Sequence, residues 1–197
     1  MPPCPRKAVG MALTICFYVL DHMILPIAQL GQPILWQKAP EMSREEIATP
    51  AFQQFIADMR ETLEESGGVG LAAPQVFQSR RVFLAAILAS ATLEQPPGIE
   101  VFINPRIVQQ SQETTWRWEG CLSFSELMVF VERATQVTIE YLDLRGQPRA
   151  MELRDLPARI IQHEYDHLDG VLTLDRAQSS RHIIKASEYA TVLKNME

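Results

Sequence analysis

Two histidines four residues apart, with a glutamate beside the first, constrain this chain more than any other feature: His163-Glu164-Tyr165-Asp166-His167. On an α-helix a four-residue step turns through about 400°, so both imidazoles leave the same face one turn apart. Two neutral ring nitrogens so placed can grip one divalent ion. Glu164 lies about 100° round from His163, close enough to reach water at such an ion without being forced to ligate it. Metal hydrolases use this pairing of two ligands with a general base. Five-residue matches of this kind also arise by chance, and a buried histidine pair can be purely structural.

A hydrolytic site needs a third protein ligand and keeps the fourth position for water. Cys121 is the candidate, in Trp118-Glu119-Gly120-Cys121-Leu122-Ser123, a short polar break between strands. Its thiolate is a soft ligand suited to Fe²⁺ or Zn²⁺. A lone cysteine is more often a small core residue, but Gly120 beside it lets the backbone approach closely. The three cysteines, Cys4, Cys16 and Cys121, are odd in number and far apart. That is a poor disulfide framework and fits a reducing compartment.

A third segment is Gly68-Val69-Gly70-Leu71-Ala72-Ala73-Pro74-Gln75. By itself it reads as a helix-ending turn. It lacks the Lys and Ser/Thr of a phosphate loop, whereas the amide of Gln75 can donate to an oxyanion.

Around these segments the chain reads as one domain from Ile24 onward, with no internal repeat. Ser43 with Glu46 three residues on looks like a capped helix start. Pro50 opens the next helix, whose Phe52, Phe55, Ile56, Met59 and Leu63 form an apolar stripe up to Glu65. Arg81–Leu88, Val101–Ile103, Val129–Val131 and Val137–Leu142 read as strands. Glu94–Gly98 is a loop and Arg145–Pro148 a turn. Pro157 can start the histidine-bearing helix, with Gly170 just past its end. A last helical pattern covers about Arg176 to Lys194. Without βαβ alternation this order argues α+β: mixed or antiparallel sheets packed around the central helix of His163 and His167, with an N-terminal and a C-terminal helix.

Charge and the N-terminus narrow the function classes. With 18 basic against 24 acidic residues the chain carries −6, and no long Lys/Arg run supports sequence-specific nucleic-acid binding. Arg6 and Lys7 precede an apolar run from Ala8 to Leu20, shorter than the ~20 residues of a membrane span. No small-residue cleavage pattern follows it. His22-Met23 is the dipeptide that a common cloning site encodes. We therefore read residues 1–22 as an N-terminal extension, vector-derived or upstream, and 23–197 as the catalytic domain. A transit segment or membrane-touching extension is the other reading.

The three segments, in this order, resemble the motifs of peptide deformylases: Gly68–Gln75, Glu119-Gly120-Cys121-Leu122-Ser123 and Gln162-His163-Glu164-Tyr165-Asp166-His167-Leu168. The broader likeness runs from about Met23 to Leu174. It implies hydrolytic removal of the formyl group from formyl-methionyl nascent peptides in the cytoplasm, near the ribosomal exit tunnel. It implies one divalent ion on Cys121, His163 and His167, usually Fe²⁺, with Zn²⁺, Ni²⁺ or Co²⁺ able to occupy the site. Water acidified by the ion attacks the formyl carbon. Gln75 and the Leu122 backbone N–H stabilise the charge on the formyl oxygen, and Glu164 carries the proton to the departing amine. Val69, Gly70, Leu156 and Ile160 are the expected substrate contacts. Glu119, Arg133 and Asp166 are expected to orient the ligands from behind. Arg159, four residues before His163, could face the cleft.

Two positions depart from the family pattern: Ser125, where proline is often found two residues after the motif serine, and Glu132, where proline often precedes the arginine. Both fall on a segment expected near the cleft rim. Two other classes compete. A zinc peptidase cutting internal bonds normally recruits His or Glu rather than Cys121 as its third ligand. A metal-stabilised protein that docks nascent chains without turnover needs neither Glu164 nor Gln75.

Overall fold

A computed structural model of the chain describes residues 23–87 and 98–195. The extension proposed for residues 1–22, and residues 94–97 of the expected loop, lie outside them. Ser43 caps α1 (Arg44–Ile47) in a reciprocal capping box with Glu46. Thr49 caps α2 (Pro50–Ser66), with Pro50 at its first position. Phe52, Ile56, Met59 and Leu63 line one face of α2 and are buried, as the spacing predicts.

Five strands form an antiparallel sheet in the order β1 (Gly70–Ala72), β2 (Val82–Ile87), β3 (Gly98–Gln110), β6 (Gln136–Leu142), β7 (Pro148–Arg154). Alternate residues of a strand face opposite sides, and both sides are covered. From β2, Leu84 packs with the α2 stripe, while Phe83 joins Phe102, Ile139 and Ile161 of α3 (Asp155–Leu168). A second antiparallel sheet orders β4 (Thr114–Glu119), β5 (Leu127–Ala134) and β8 (Ile183–Lys185). α3 lies against the first sheet through Ala158 and Ile161 and reaches the second through Gln162, which bonds both backbone groups of Ala134.

The α+β class therefore holds, with all described pairings antiparallel rather than mixed. The helix expected over Arg176–Lys194 is corrected. That stretch supplies strand β8, which pairs with Leu127–Val129 of β5, and only α4 (Tyr189–Lys194) is α-helical. Val101–Ile103 is the middle of the longer β3. Gly170 follows α3 at φ +70°, where a Cβ would stand 2.6 Å from the backbone of Trp36; only glycine permits that approach. Among the described residues no helix is long and apolar enough to cross a membrane.

Candidate metal centre and its cleft

α3 delivers His163 and His167 from one face, their ring centroids 5.1 Å apart. Cys121 ends the polar break after β4, just ahead of a 3-10 turn at Leu122–Phe124. The ligand atoms of Cys121, His163 and His167 lie within 4.8 Å of one another, with Cys121 Sγ 3.3 Å from His167 Nε2. Two donors sharing one tetrahedral ion at ordinary Zn–S and Zn–N lengths stand ~3.5 Å apart. The three donors thus fit one divalent ion, and among the described residues no other group of His, Cys, Asp or Glu does so.

The two imidazoles are held differently. Nδ1 of His163 meets Glu119 Oε2 at 3.0 Å, which fixes the ring and leaves Nε2 for a ligand bond. Nδ1 of His167 is buried without a partner. Burial opposes charge on His163, but its hydrogen bonds to Cys121 and Glu119 prevail and raise its pKa well above the ordinary value. Burial, then the charges of His163 and Arg133, push His167 well below it. A lowered pKa keeps the His167 ring neutral, with a lone pair to give.

Glu119 is a junction. Its Oε1 accepts from Arg133 Nε and Arg159 Nη1, and its Oε2 from Arg133 Nη2 and His163. Burial would raise its pKa, yet the hydrogen bonds from His163 and Arg133 hold it at about 2. Arg133 continues to Asp166, which also receives Nε and Nη2 of Arg176. Asp166 is thus buried and touches neither histidine ligand directly; it acts on Arg133. No local pattern in the sequence links its second partner, Arg176, which lies past the helix end, to a residue inside the helix.

Glu164 differs from these acids. Its side chain is buried, Oε2 has no partner, and burial is the main reason its pKa rises to about 7. Gly70 explains how it fits, since a Cβ there would lie 2.3 Å from Glu164 Oε1. Gly120 plays a lesser part than expected: its Cβ would meet only Met128 Sδ, at 3.3 Å.

A cleft of about 410 Å³ opens beside these groups. It brings together Val69, Gly70, Gln75, Glu119, Cys121, Leu122, Leu156, Ile160, His163 and Glu164, all expected from sequence. Val69 and Leu156 are half exposed and form its rim, whereas Ile160 is buried. Gln75 accepts from Ala72 N at 2.9 Å and donates to Ser123 Oγ at 3.2 Å and Cys121 Sγ at 3.5 Å. Leu122 opens the 3-10 turn, so its N–H has no intrahelical acceptor. Arg159 does line the cleft, but its guanidinium is tied to Glu119 and to backbone oxygens of Thr115 and Val131. Ser125 lines the cleft as expected. Glu132 does not; it faces a separate polar cavity behind α3 that Arg133 and Asp166 also line.

A family model described as polypeptide deformylase matches residues 24–182. The chain is 43% identical to a peptide deformylase 2 of Nostoc sp., covering 86% of this chain and 95% of that one. It is 36% identical to a peptide deformylase of Thermotoga neapolitana, covering 84% and 94%. Among solved structures it resembles a class I type b peptide deformylase of Acinetobacter baumannii bound to Met-Ala-Ser, with TM-score 0.73, 37% identity, and coverage of 79% and 99%. The crystal structure of the Thermotoga maritima peptide deformylase also matches, with TM-score 0.73, 36% identity, and coverage of 80% and 100%.

Proposed function

The chain belongs to the peptide deformylase family, enzymes that remove the formyl group from nascent peptides, and on that premise we propose that Cys121, His163 and His167 hold its one catalytic ion and Glu164 moves the proton. The observation that carries this reading is a single convergence. Three donors lie within 4.8 Å of one another, beside a buried carboxylate with a free oxygen, on the wall of one cleft.

A divalent ion there supplies Lewis acidity, lowering the pKa of water and favouring charge on the formyl oxygen. Glu164 takes the proton from the attacking water and hands it to the departing amine; its pKa of about 7 suits both halves of that task. Leu122 N–H and Gln75 Nε2 donate to the formyl oxygen as charge grows there. For Gln75 this replaces its long contact with Cys121, while Ala72 keeps the amide oriented. Val69, Gly70, Leu156 and Ile160 receive the methionine side chain, an apolar group that gains by leaving water. Glu119 orients His163, and Arg133, itself held by Asp166, holds Glu119 in turn.

We take residues 23–197 as the catalytic unit, Fe²⁺ as the ion, with Zn²⁺, Ni²⁺ or Co²⁺ as replacements, and the cytoplasm near the ribosomal exit tunnel as the workplace. The test is anaerobic purification with metal analysis, then assay on a formyl-methionyl peptide beside its unformylated and internally cleavable counterparts. Formate release from the first alone is expected. Glu164→Ala should keep the ion and lose turnover, and cleavage of internal bonds would overturn the reading. An iron-loaded preparation should lose activity in air as the metal or Cys121 oxidises; air-stable activity whichever ion is loaded would remove iron from the proposal.

A further inference from the structure

The hydrogen bonds behind His163 do not stop at Glu119. They run as a continuous line, Arg176 to Asp166 to Arg133 to Glu119 to Nδ1 of His163. We propose that Arg176 is a positioning residue, which through Asp166 and Arg133 sets the angle at which Glu119 holds the His163 ring. The proposal rests on the reading of the site as a deformylase metal centre.

Two of the four links are forks, and the other two are the single bonds from Arg133 Nη1 to Asp166 and between Glu119 and His163. Arg176 grips both oxygens of Asp166 with Nε and Nη2. Arg133 grips both oxygens of Glu119 with Nε and Nη2, and spends Nη1 on Asp166 and the Gln162 carbonyl. Planar forks transmit orientation, because a guanidinium with both edges engaged cannot rotate without breaking bonds. The middle of the line is dry: the side chains of Arg133, Glu119 and Asp166 are 3%, 6% and 8% exposed. Glu119 lies at the dry end, away from the polar cavity that Arg133, Asp166 and Arg176 line, so a shift of Arg133 reaches it with no water to take the lost bond.

The direction of that shift follows from the shared member. Arg133 serves two carboxylates, Glu119 and Asp166. With Arg176 in place, Asp166 has a second cation and leaves Nε and Nη2 of Arg133 for Glu119. Without it, Asp166 draws Arg133 towards itself. Glu119 then falls to Arg159, which already holds Oε1 at 2.7 Å, and its Oε2 contact with His163 loosens. Arg176 is also the one member of this line that is substantially exposed, at 45%. It lines the polar cavity of about 360 Å³ behind α3, not the cleft. A change there therefore acts on the ligand ring without touching substrate.

The test uses the full chain loaded with Co²⁺, comparing the parent with Arg176→Gln, Arg176→Lys and a control, Arg149→Gln, which breaks an exposed pair with Asp143. For Arg176→Gln, kcat and Co²⁺ affinity should each fall about 10-fold with KM unchanged, and the visible Co²⁺ band should move. Arg176→Lys should recover part of each change, and Arg149→Gln should match the parent. The proposal is overturned if Arg176→Gln keeps the parent's kcat, affinity and spectrum, or if its lost turnover only follows the unfolded fraction. A parent that binds Co²⁺ but leaves formyl-methionyl peptides intact breaks the functional reading instead, and the affinities and spectra still decide the role of Arg176.

Discussion

On the side of α3 that faces the cleft, Glu164 is buried with one carboxylate oxygen lacking any partner; two residues on, Asp166 faces the other way and has both oxygens bonded to guanidinium groups. The two acids share a helix and a depth of burial, and differ in the company they keep. Glu164 has its pKa raised to about 7 by burial, the condition of a group that must bind and release a proton. Asp166 and Glu119 are spent on holding other side chains in place. Burying a carboxylate without a partner costs free energy, and natural chains tolerate that mainly where it serves chemistry. One face of the helix is thus built to react and the other to hold still.

The largest test of that contrast is Glu164→Gln, which keeps the shape and removes the proton acceptor. Turnover should fall by about 10³-fold or more, with metal content unchanged. Thermal stability should stay level or rise, because a poorly solvated carboxylate has gone. Equal losses of activity and melting temperature would show Glu164 to be a structural acid like its neighbour. Next is Gly70→Ala. The new methyl would stand 2.3 Å from Glu164 Oε1 and 2.6 Å from Cδ, so the carboxylate must swing aside. Misplacing a reacting group by about 1 Å costs on the order of 10²-fold. We expect that loss in kcat, with the ion retained. A Gly70→Ala enzyme that turns over normally would mean that Glu164 works from some other position.

Gln162, which holds backbone rather than the carboxylates behind His163, should respond in the opposite sense. Gln162 bonds Ala134 N at 3.1 Å, Ala134 O at 2.9 Å and Ala158 O at 3.0 Å. Gln162→Ala removes the partner of both backbone groups of the buried Ala134, a penalty of about 1–3 kcal/mol. Stability in urea should drop by that amount, while kcat per folded, metal-loaded molecule stays near the parent value. A large fall in kcat with unchanged stability would dissolve the distinction between the faces.

The reacting face was far more legible in the sequence than the holding face. His163, Glu164 and His167 sit within little more than one helical turn, and helix geometry alone puts both imidazoles together. Cys121, Gln75 and Gly70 each lie in a short segment whose residue types match their chemistry. The α2 stripe was equally plain, since burial there repeats at the helical period. What escaped depends on distant partners. The place of Arg159 at the cleft is legible from its spacing to His163, but its bond to Glu119 spans 40 residues and no local pattern announces it. Ile183-Ile184-Lys185 has no decisive period of its own, and the open edge of β5 makes it strand β8. Most residues of β7 are exposed, so it lacks the apolar alternation that marks a half-buried strand.

The smallest expected effect sharpens the comparison at its margin. Tyr165 follows Glu164 but turns to the holding side, where Arg81 lies 5.0 Å from its ring centroid. The same guanidinium bonds Asp169 at 2.8 Å, so it keeps an ionic partner whatever happens to the ring. Tyr165→Leu preserves apolar bulk and removes the π face, a loss of about 1 kcal/mol. For a domain of this size that lowers the melting temperature by roughly 2–4 °C. Turnover should not change, since Tyr165 lines the polar cavity behind α3 and not the cleft. Adding Arg81→Met in a double-mutant cycle separates the ring–cation contact from simple packing, because only a true contact leaves a coupling energy between the two changes. A Tyr165→Leu variant that melts with the parent but turns over more slowly would place this residue with Glu164, and the division of the helix into two faces would have to be redrawn one residue further round.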